Sequence, residues 1–544
     1  MDQSQGVDVG YVVEVNGERA LVELTVDTTV PLACDYYAGQ PGSHVKIPFH
    51  NQNIIGIVSS IKMLEGSGHN GTQPEPRRIA DCVLIGTLLE NGRFARGVAV
   101  YPTVGQPVKM VTADELSGVF SEYVRYGYSF GCPTQADEQR AFVNVDRFFG
   151  QHIAVVGTTG CGKSCTVVSM LQQALRKYPN THIIVLDLHG EYAAAFPGDD
   201  VLLIDADKVE LPYWVLNFEE FCDLCVDPNE PSARNQITVL HDGLVRAREG
   251  TVGAEKLRKG DSVTADSPVW FDIEDLLTQI RSWNIQMVPN ATGELEPGPL
   301  YGAFDRFLIR LDSKVNDPRY KFMFGPTRYT DNDSLVRLLR EYLSINTGKR
   351  MAIVDLSGVP SEAVGVVVAV VSRMVFEFNL WNPEHERFPV LLVLEEAHNY
   401  VPSRNEGRFT AARTAVERIT KEGRKYGIGL VVVSQRPKEL SETVLSQCNN
   451  FVAMRLTNPD DQAYIRKLVP DSMAGLMTML PSLRTGEALV LGDAVVLPTR
   501  VKVDCPDPKP MSADVEFAKW WSEGLADLDV ERIVKRWRAR RKDI

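Results

Sequence analysis

The stretch GTTGCGKSCT, residues 157–166, holds glycines, a lysine and hydroxyl side chains within ten positions. It fits the pattern G-x-x-x-x-G-K-[ST], follows the apolar run HIAVV and precedes a segment with helical periodicity. In such a loop the glycines let backbone amides turn toward phosphate oxygens, and the following helix adds a partial positive charge. The residues predicted to bind the phosphate chain are Gly157, Thr158, Thr159, Gly160, Cys161, Gly162, Lys163, Ser164 and Cys165.

Two side chains of this loop have predicted roles in handling the phosphates. Lys163 is expected to reach the β- and γ-phosphates, and Ser164 is expected to ligate Mg²⁺. The sequence therefore predicts ATP and Mg²⁺ at this loop. Because such loops serve kinases, switches, transporters and motors alike, the loop alone does not say what the phosphate energy is used for.

A pair of acids follows a second apolar run, in PVLLVLEEAHNY. Val390 to Leu394 are predicted to form a buried strand that ends at Glu395 and Glu396. The first acid is assigned to the magnesium site and the second to polarising the attacking water, although many proteins of this kind have Asp at the first position. His398 is expected to be structural, with contact to either acid left open.

A third strand ends at VVVSQRP, residues 431–437, where Ser434 and Gln435 stand at its tip. A polar pair at this place often only caps a strand. However, ligands of an open parallel sheet gather at the carboxyl ends of its strands, so Gln435 is predicted to sense the γ-phosphate.

The segment RTAVERITKEGRKYG, residues 413–427, is predicted to be a helix with several basic residues. A solvated basic face is one interpretation. The other is that one arginine reaches the γ-phosphate of a neighbouring subunit, with Arg424 as the first choice and Arg418 as the second.

The N-terminal part, residues 1–115, reads as short β-strands separated by glycine and proline. Asn16-Gly17 between two β-rich runs predicts a hairpin. Small barrels are built in this way, and we predict an N-terminal β-barrel.

The rest of the chain alternates apolar strands with helical stretches, which predicts an α/β fold with a mostly parallel sheet. The predicted core covers residues 116–210 and 346–505. Residues 211–345 have apolar residues at steps of three and four and are predicted to form a helical insertion. Residues 506–544 are predicted to be a helical tail that ends in a basic amphipathic helix.

Composition excludes fewer classes of function than these motifs do. The chain has 544 residues and a net charge of −13, which does not exclude DNA because a protein that encloses DNA needs positive charge only along its path. We expect a cytoplasmic protein, because the N-terminus is polar, nine scattered cysteines suit a reducing compartment and no apolar run is expected to reach the length needed to span a bilayer. Cys222 and Cys225 are expected to lie on a helix face rather than to bind metal.

Five segments occur in an order that resembles the HerA family of hexameric DNA translocases, relatives of FtsK. They are GTTGCGKS, LDLHGEY, LLVLEEAHNYVP, EGRKYGIGLVVVSQRP and TNPDDQAYIRKL. The resemblance implies a RecA-like P-loop core, in which Lys163 and Ser164 match the nucleotide loop. Glu396 matches the catalytic acid with Glu395 at the magnesium position, Gln435 matches the γ-phosphate sensor, and Arg424 is the arginine supplied in trans.

The resemblance also implies a homo-hexameric ring with ATP between neighbours and double-stranded DNA in the pore, with SRNEGRF, residues 403–409, as a candidate pore loop. Relatives act with a partner nuclease or an NAD-consuming effector, in DNA end processing or in defence against phage. The leading hypothesis is an ATP-driven DNA translocase or helicase. A motor for another polymer, and a ring-shaped scaffold that regulates a partner, stay open as alternatives.

Overall fold

The computed structural model describes residues 7–26, 31–33, 36–37, 39–64, 76–134, 139–205, 208–251, 263–403, 409–470, 473–512, 515–524 and 528–539. The chain forms two compact units. The first consists of Met1–Pro179 and Val431–Lys509, and the second of Asn180–Leu430 and Pro510–Ile544.

The first stretch of the chain is mainly strands. Its elements are β1 (Asp8–Asn16), β2 (Arg19–Leu24), β3 (Pro31–Ala33), β4 (Tyr36–Tyr37), β5 (His44–Phe49), β6 (Gln52–Leu64), β7 (Arg77–Leu89), β8 (Phe94–Arg96), β9 (Pro107–Met110), α1 (Ala113–Val124), β10 (Gly131–Pro133), α2 (Val145–Gly150), β11 (Ile153–Val156) and α3 (Lys163–Lys177).

The middle stretch is mainly helical. Its elements are β12 (Ile183–Asp187), β13 (Val201–Ile204), α4 (Phe218–Cys225), α5 (Ala233–Thr251), α6 (Ile273–Asn284), β14 (Met287–Pro289), β15 (Leu295–Pro297), α7 (Asp305–Asn316), α8 (Lys321–Phe324), α9 (Ser334–Tyr342), β16 (Met351–Asp355) and α10 (Ser361–Trp381).

The last stretch alternates strands and helices before the tail. Its elements are β17 (Val390–Leu394), α11 (Thr410–Glu422), β18 (Ile428–Ser434), α12 (Glu442–Ser446), β19 (Asn450–Ala453), α13 (Pro459–Leu468), β20 (Glu487–Gly492), β21 (Thr499–Val503), α14 (Phe517–Glu523) and α15 (Val530–Ala539).

The N-terminal strands form the predicted barrel. They pair in the order β2-β1-β9-β5-β6-β7-β8. Because β2 also pairs with β7, six strands close into a barrel, and β8 pairs with a later part of β7 than β2 does. Alternate side chains of β2, Ala20, Val22 and Leu24, belong to a buried apolar core. The β1–β2 turn confirms the predicted hairpin, with Asn16 paired to Arg19 and Gly17 at φ +50°.

In the first unit, a sheet carries the glycine loop. β11 lies between β18 and β19 and is parallel to both. β19, β20, β21 and β10 then pair in antiparallel order. All four residues of β11 are buried, which explains the uninterrupted apolar run before the loop.

In the second unit, four strands pair in parallel in the order β17-β12-β16-β13. The register places Leu186 beside Leu394 and Asp187 beside Asp355, so the polar ends of β12, β16 and β17 lie at one edge. Both units together confirm the predicted α/β class and the mostly parallel pairing. Helices α4 to α9 fall in the predicted insertion, to which the structure adds the short hairpin β14–β15.

One sequence-based expectation was wrong. α10 is long and apolar enough to span a membrane by length and composition, and it is the one such helix in the described residues. However, 78% of its apolar window is buried inside the fold, so α10 has the character of a core helix. Its glycine at position 365 leaves room for the ring of Phe409, which a Cβ at that position would overlap.

Candidate active site

The glycine loop connects the end of β11 to the start of α3, as the pattern predicts. Gly160 and Gly162 have φ of +73° and +98°, a left-handed backbone that favours glycine. Gly157 is required for a different reason, since a Cβ there would lie 2.7 Å from the Cys161 sulfur and 2.9 Å from Met454 Cβ. The loop therefore packs tightly against Met454, the residue that follows β19, and two left-handed glycines form its turn.

The start of α3 suits an anion. No acidic residue lies in the first turn of α3, and no side chain caps its N-terminal amides. The amides and the helix dipole are therefore available to a negatively charged ligand. Lys163 is mostly buried, and its Nζ donates to the Thr158 carbonyl at 3.3 Å, which folds the ammonium back over the loop. Ser164 and Cys165 are partly buried in the same turn.

Two other segments hold the loop from behind. The amide and hydroxyl of Thr158 both donate to the carbonyl of Arg455, just after β19, at 2.8 and 3.0 Å. The amide of Gly486, just before β20, donates to the Cys161 carbonyl at 3.1 Å. Burial raises the pKa of the Cys161 thiol, which is consistent with a packing role for that side chain. Arg455 and Gly486 were not singled out in the sequence, because their contacts depend on strand pairing.

Gln435 touches the loop directly. It follows β18, and its side-chain oxygen accepts a close hydrogen bond from the Thr159 hydroxyl. The neighbouring Ser434 hydroxyl accepts from the Arg436 amide at 3.0 Å, so Ser434 closes the turn. The structure thus brings Gln435 into contact with Thr159 of the glycine loop, and Ser434 has the capping role that was one interpretation of the pair.

The second unit holds the paired acids. Glu395 and Glu396 follow β17, and both are buried. Glu396 has φ of +45°, a conformation that is uncommon and costly for a residue with a side chain. Its carboxylate lies 3.2 Å from Nδ1 of His398, and the Tyr400 hydroxyl donates to the Glu395 carbonyl at 2.6 Å. These contacts hold the strained turn and answer the question left open about His398.

A third acid, Asp187, lies beside Glu395 at the end of β12. It is fully buried, and its carboxylate accepts backbone hydrogen bonds from Gly190, Glu191 and Tyr192 at 2.9, 3.2 and 2.9 Å. The signature LDLHGEY is therefore a turn closed by its own aspartate, while His189 is exposed. The sequence contained this motif, but no pattern within it indicated contact with the acid strand.

Burial and the nearby Asp187 carboxylate raise the pKa of Glu395 well above its ordinary value. Glu395 Oε2 also accepts a hydrogen bond from the Leu188 amide at 3.1 Å. Two carboxyl groups this close in a buried site disfavour a second negative charge, so the folded chain favours the protonated form of Glu395.

The two candidate arginines have different surroundings. Arg418 donates to Glu377 at 2.7 Å and stacks on the Phe376 ring at 4.1 Å. Arg424 lies in the short 3₁₀ helix Gly423–Tyr426 and is exposed, and within the described part of the chain no carboxylate contacts it. Arg404 and Arg408 of the candidate pore loop lie outside the described residues.

The described residues contain no group of three or more His, Cys, Asp or Glu side chains that could hold a metal ion. Cys222 and Cys225 lie on α4, where burial raises the pKa of both thiols to about 12. The Ser164 hydroxyl is an oxygen donor of the kind that Mg²⁺ prefers when phosphates complete its shell.

The chain is similar to several known proteins. Residues 128–375 match the family described as "Helicase HerA, central domain". The chain is 26% identical to the DNA double-strand break repair helicase HerA of Saccharolobus solfataricus, with 88% of this chain and 89% of that protein covered. It is also 26% identical to the protein of the same name from Sulfolobus acidocaldarius, over 96% and 95%. The solved structure of VirB4 of Thermoanaerobacter pseudethanolicus is 17% identical with a TM-score of 0.46, covering 70% of this chain and 97% of that one.

Proposed function

We propose that this chain is a P-loop ATPase of the HerA family and the motor subunit of a ring that uses ATP hydrolysis to move along double-stranded DNA. The hydrolase activity and the use of ATP and Mg²⁺ follow from the family. The relatives named as DNA double-strand break repair helicases support DNA as the polymer. The observation that carries the proposal is the contact between Gln435 and Thr159, because it links the end of β18 to the phosphate-binding loop.

Nucleotide binding is assigned to the loop and the start of α3. Gly157, Thr158, Thr159, Gly160, Cys161, Gly162 and Cys165 surround the phosphate chain with backbone amides. The Lys163 ammonium leaves the Thr158 carbonyl and moves to the β- and γ-phosphates, a short step because it already lies over the loop. Gln435 exchanges its bond to Thr159 for one to the γ-phosphate or to the attacking water.

Hydrolysis is assigned to the acids after β17. Glu396 orients the attacking water and accepts its proton, with His398 holding the carboxylate in place at 3.2 Å. Ser164 and Glu395 would hold Mg²⁺, which, when bound, neutralises charge on the β- and γ-phosphates. Glu395 must lose its proton to do so, and Asp187 beside it opposes that loss until a cation is present.

We further propose that Arg424 completes the site of a neighbouring subunit in a hexameric ring. Its exposure and its lack of a carboxylate partner among the described residues support this choice over Arg418, which Glu377 and Phe376 hold in place. An arginine supplied in trans stabilises charge that develops on the γ-phosphate and raises turnover by orders of magnitude.

A partner enzyme completes the proposal. The ring would move DNA, and a nuclease or an NAD-consuming effector on another polypeptide would carry out the destructive chemistry, in DNA end processing or in defence against phage.

ATP turnover with and without linear duplex DNA tests the function. We expect duplex DNA to stimulate turnover, and the stimulation to decline as salt rises because phosphate contacts release counterions. Lys163→Ala should abolish turnover with and without DNA. Turnover that duplex DNA leaves unchanged at low salt would contradict the translocase and favour a scaffold that regulates its partner.

A further inference from the structure

Arg455 is attached to the phosphate-binding loop through its backbone. β19 runs parallel to β11 with Ala453 beside Val156, and the Met454 amide donates to the Val156 carbonyl at 2.8 Å. The Arg455 carbonyl then accepts two hydrogen bonds from Thr158, at 2.8 and 3.0 Å. A residue fixed in this way cannot move independently of the loop, so its side chain starts from a defined place beside it.

The Arg455 guanidinium lies near the loop and is half-buried. Its positive charge lowers the pKa of the Cys161 thiol, against the larger effect of burial, which places the charge close to the middle of the loop. Across the described ranges of the chain, no carboxylate or other side chain forms a hydrogen bond or ion pair with this guanidinium.

Two other half-buried arginines of the same unit have carboxylate partners. Arg140 forms two hydrogen bonds with Asp504, at 2.8 and 2.5 Å, and Arg500 donates to Glu487 at 2.6 Å. Removing part of the hydration of a cation costs free energy unless an anion compensates for it. Arg455 therefore has the surroundings of a residue whose anion is a ligand rather than a side chain.

The strand order indicates which part of the ligand it meets. β18 and β19 lie on opposite sides of β11, so Gln435 and Arg455 follow strands on opposite flanks of the loop. Gln435 is assigned to the γ-phosphate end, an assignment that rests on the proposed function. The opposite flank, where Arg455 and the segment before β20 lie, is left for the nucleoside end of the phosphate chain.

We infer that Arg455 is a nucleotide-binding residue supplied in cis, which contacts the nucleoside diphosphate part of ATP and not its γ-phosphate. The inference gives the two arginines different parts of the nucleotide to contact and places them on different subunits. Arg455 acts on ADP and ATP alike, whereas Arg424 acts on the transferred phosphate from a neighbouring subunit.

Binding of ADP and of a non-hydrolysable ATP analogue to the full chain tests this inference. The variants are Arg455→Ala, Arg455→Lys, Arg455→Gln and Gln435→Ala, with Arg466→Ala as the matched control, since Arg466 is an exposed arginine on α13 of the same unit. We expect Arg455→Ala to weaken both ligands about tenfold, as for one charge-assisted contact. Arg455→Lys should recover part of the affinity and Arg455→Gln should not, while Gln435→Ala should weaken the ATP analogue alone.

Each other outcome has a defined meaning. Wild-type affinity of Arg455→Ala for both ligands, or a loss confined to the ATP analogue, would overturn the inference. If Arg455→Ala fails to fold, the Lys and Gln variants carry the test, because both keep a long polar side chain, and equal affinity of the two would overturn it. Failure of the wild-type chain to bind either nucleotide would contradict the proposed function instead.

Discussion

At the scale of single residues, two adjacent glutamates have different surroundings. Glu396 is proposed to accept a proton, and its carboxylate lies 3.2 Å from Nδ1 of His398 on the same turn. Burial and the Asp187 carboxylate at the end of β12 raise the pKa of Glu395 well above its ordinary value. Variants of the two residues therefore test two different properties, turnover for Glu396 and the pH dependence of stability for Glu395.

Glu396→Gln should keep nucleotide affinity and lower turnover by at least about 100-fold, the usual contribution of a general base. The amide keeps the shape of the side chain but cannot accept the proton of the attacking water. ATP-analogue binding and steady-state turnover measure the two effects. Glu422→Gln, an exposed acid on α11, is the matched control, and wild-type turnover of Glu396→Gln would remove the role assigned to Glu396.

Glu395→Gln should change the pH dependence of stability. The folded chain holds the Glu395 proton more tightly than the unfolded chain, whose carboxyl titrates near its ordinary value of 4.5. This contribution to stability is complete below that value and is lost as pH rises toward the higher pKa of the folded state. Glutamine is neutral throughout and loses nothing.

The measurement is the Tm of both proteins without nucleotide and without Mg²⁺, at pH 5 and pH 8. We expect the Tm of Glu395→Gln to rise relative to that of the wild-type chain between these two pH values. A difference in Tm that is the same at both would mean that Glu395 is ionised in the folded chain.

The residues that were identified from the sequence belong to a local motif, whereas those that were missed have contacts that depend on strand pairing. The glycine loop was predictable because eight successive residues carry the whole pattern. The contacts of Asp187 and Arg455 were not predictable because they arise from strand register, with Asp187 placed by β12 against β17 and Arg455 placed by β19 against β11. Arg418 could not be separated from Arg424 for the same reason, because its partner Glu377 lies 41 residues away.

At the scale of elements, the parallel strands bring their polar carboxyl ends together, and the helices pack against the strands. The apolar runs of β11, β12 and β17 were predictable because both faces of each strand are buried. The hairpin β14–β15 was not, because three-residue strands carry too little pattern to be separated from a loop. α4 was predicted as a helix with Cys222 and Cys225 on one face, whereas the buried ion pair that joins it to α10 was not predictable, because its two residues lie 153 positions apart.

That pair joins Arg373 of α10 to Glu220 of α4 through two hydrogen bonds of 2.8 Å each. Arg373→Ala should lower the free energy of unfolding by about 3 kcal/mol, because it leaves the Glu220 carboxylate buried without a partner. Replacing both residues by apolar ones should recover much of the loss. Denaturant unfolding measures these changes.

The matched control is Arg319→Ala, which removes a surface pair with Asp317 at 2.7 Å and should cost much less than Arg373→Ala, because both groups of the pair stay hydrated. Equal losses for Arg373→Ala and Arg319→Ala would mean that the α4–α10 pair has no special weight in the second unit.

At the scale of the whole molecule, the proposal requires sites that two subunits share. The phosphate-binding loop, the acids and Gln435 come from one subunit, and Arg424 comes from the next. A head-to-tail interface of this kind closes into a ring, so each subunit contributes once as the loop donor and once as the arginine donor. The sequence could indicate this only through its family, because an exposed arginine on a short helix has no pattern that predicts a partner.

Mixing Lys163→Ala subunits with Arg424→Ala subunits tests the shared site. Each variant alone should be inactive, because every site then lacks either the lysine or the arginine. In a ring of equal and random composition, about one quarter of the interfaces pair an intact loop with an intact arginine, so turnover should return to at most that fraction. Arg418→Ala mixed with Lys163→Ala is the control and should show no such recovery beyond its own activity, since Arg418 is held within its own subunit by Glu377. Mixed rings shown by mass to form, yet inactive at every ratio, would place the arginine and the loop of each site in the same subunit.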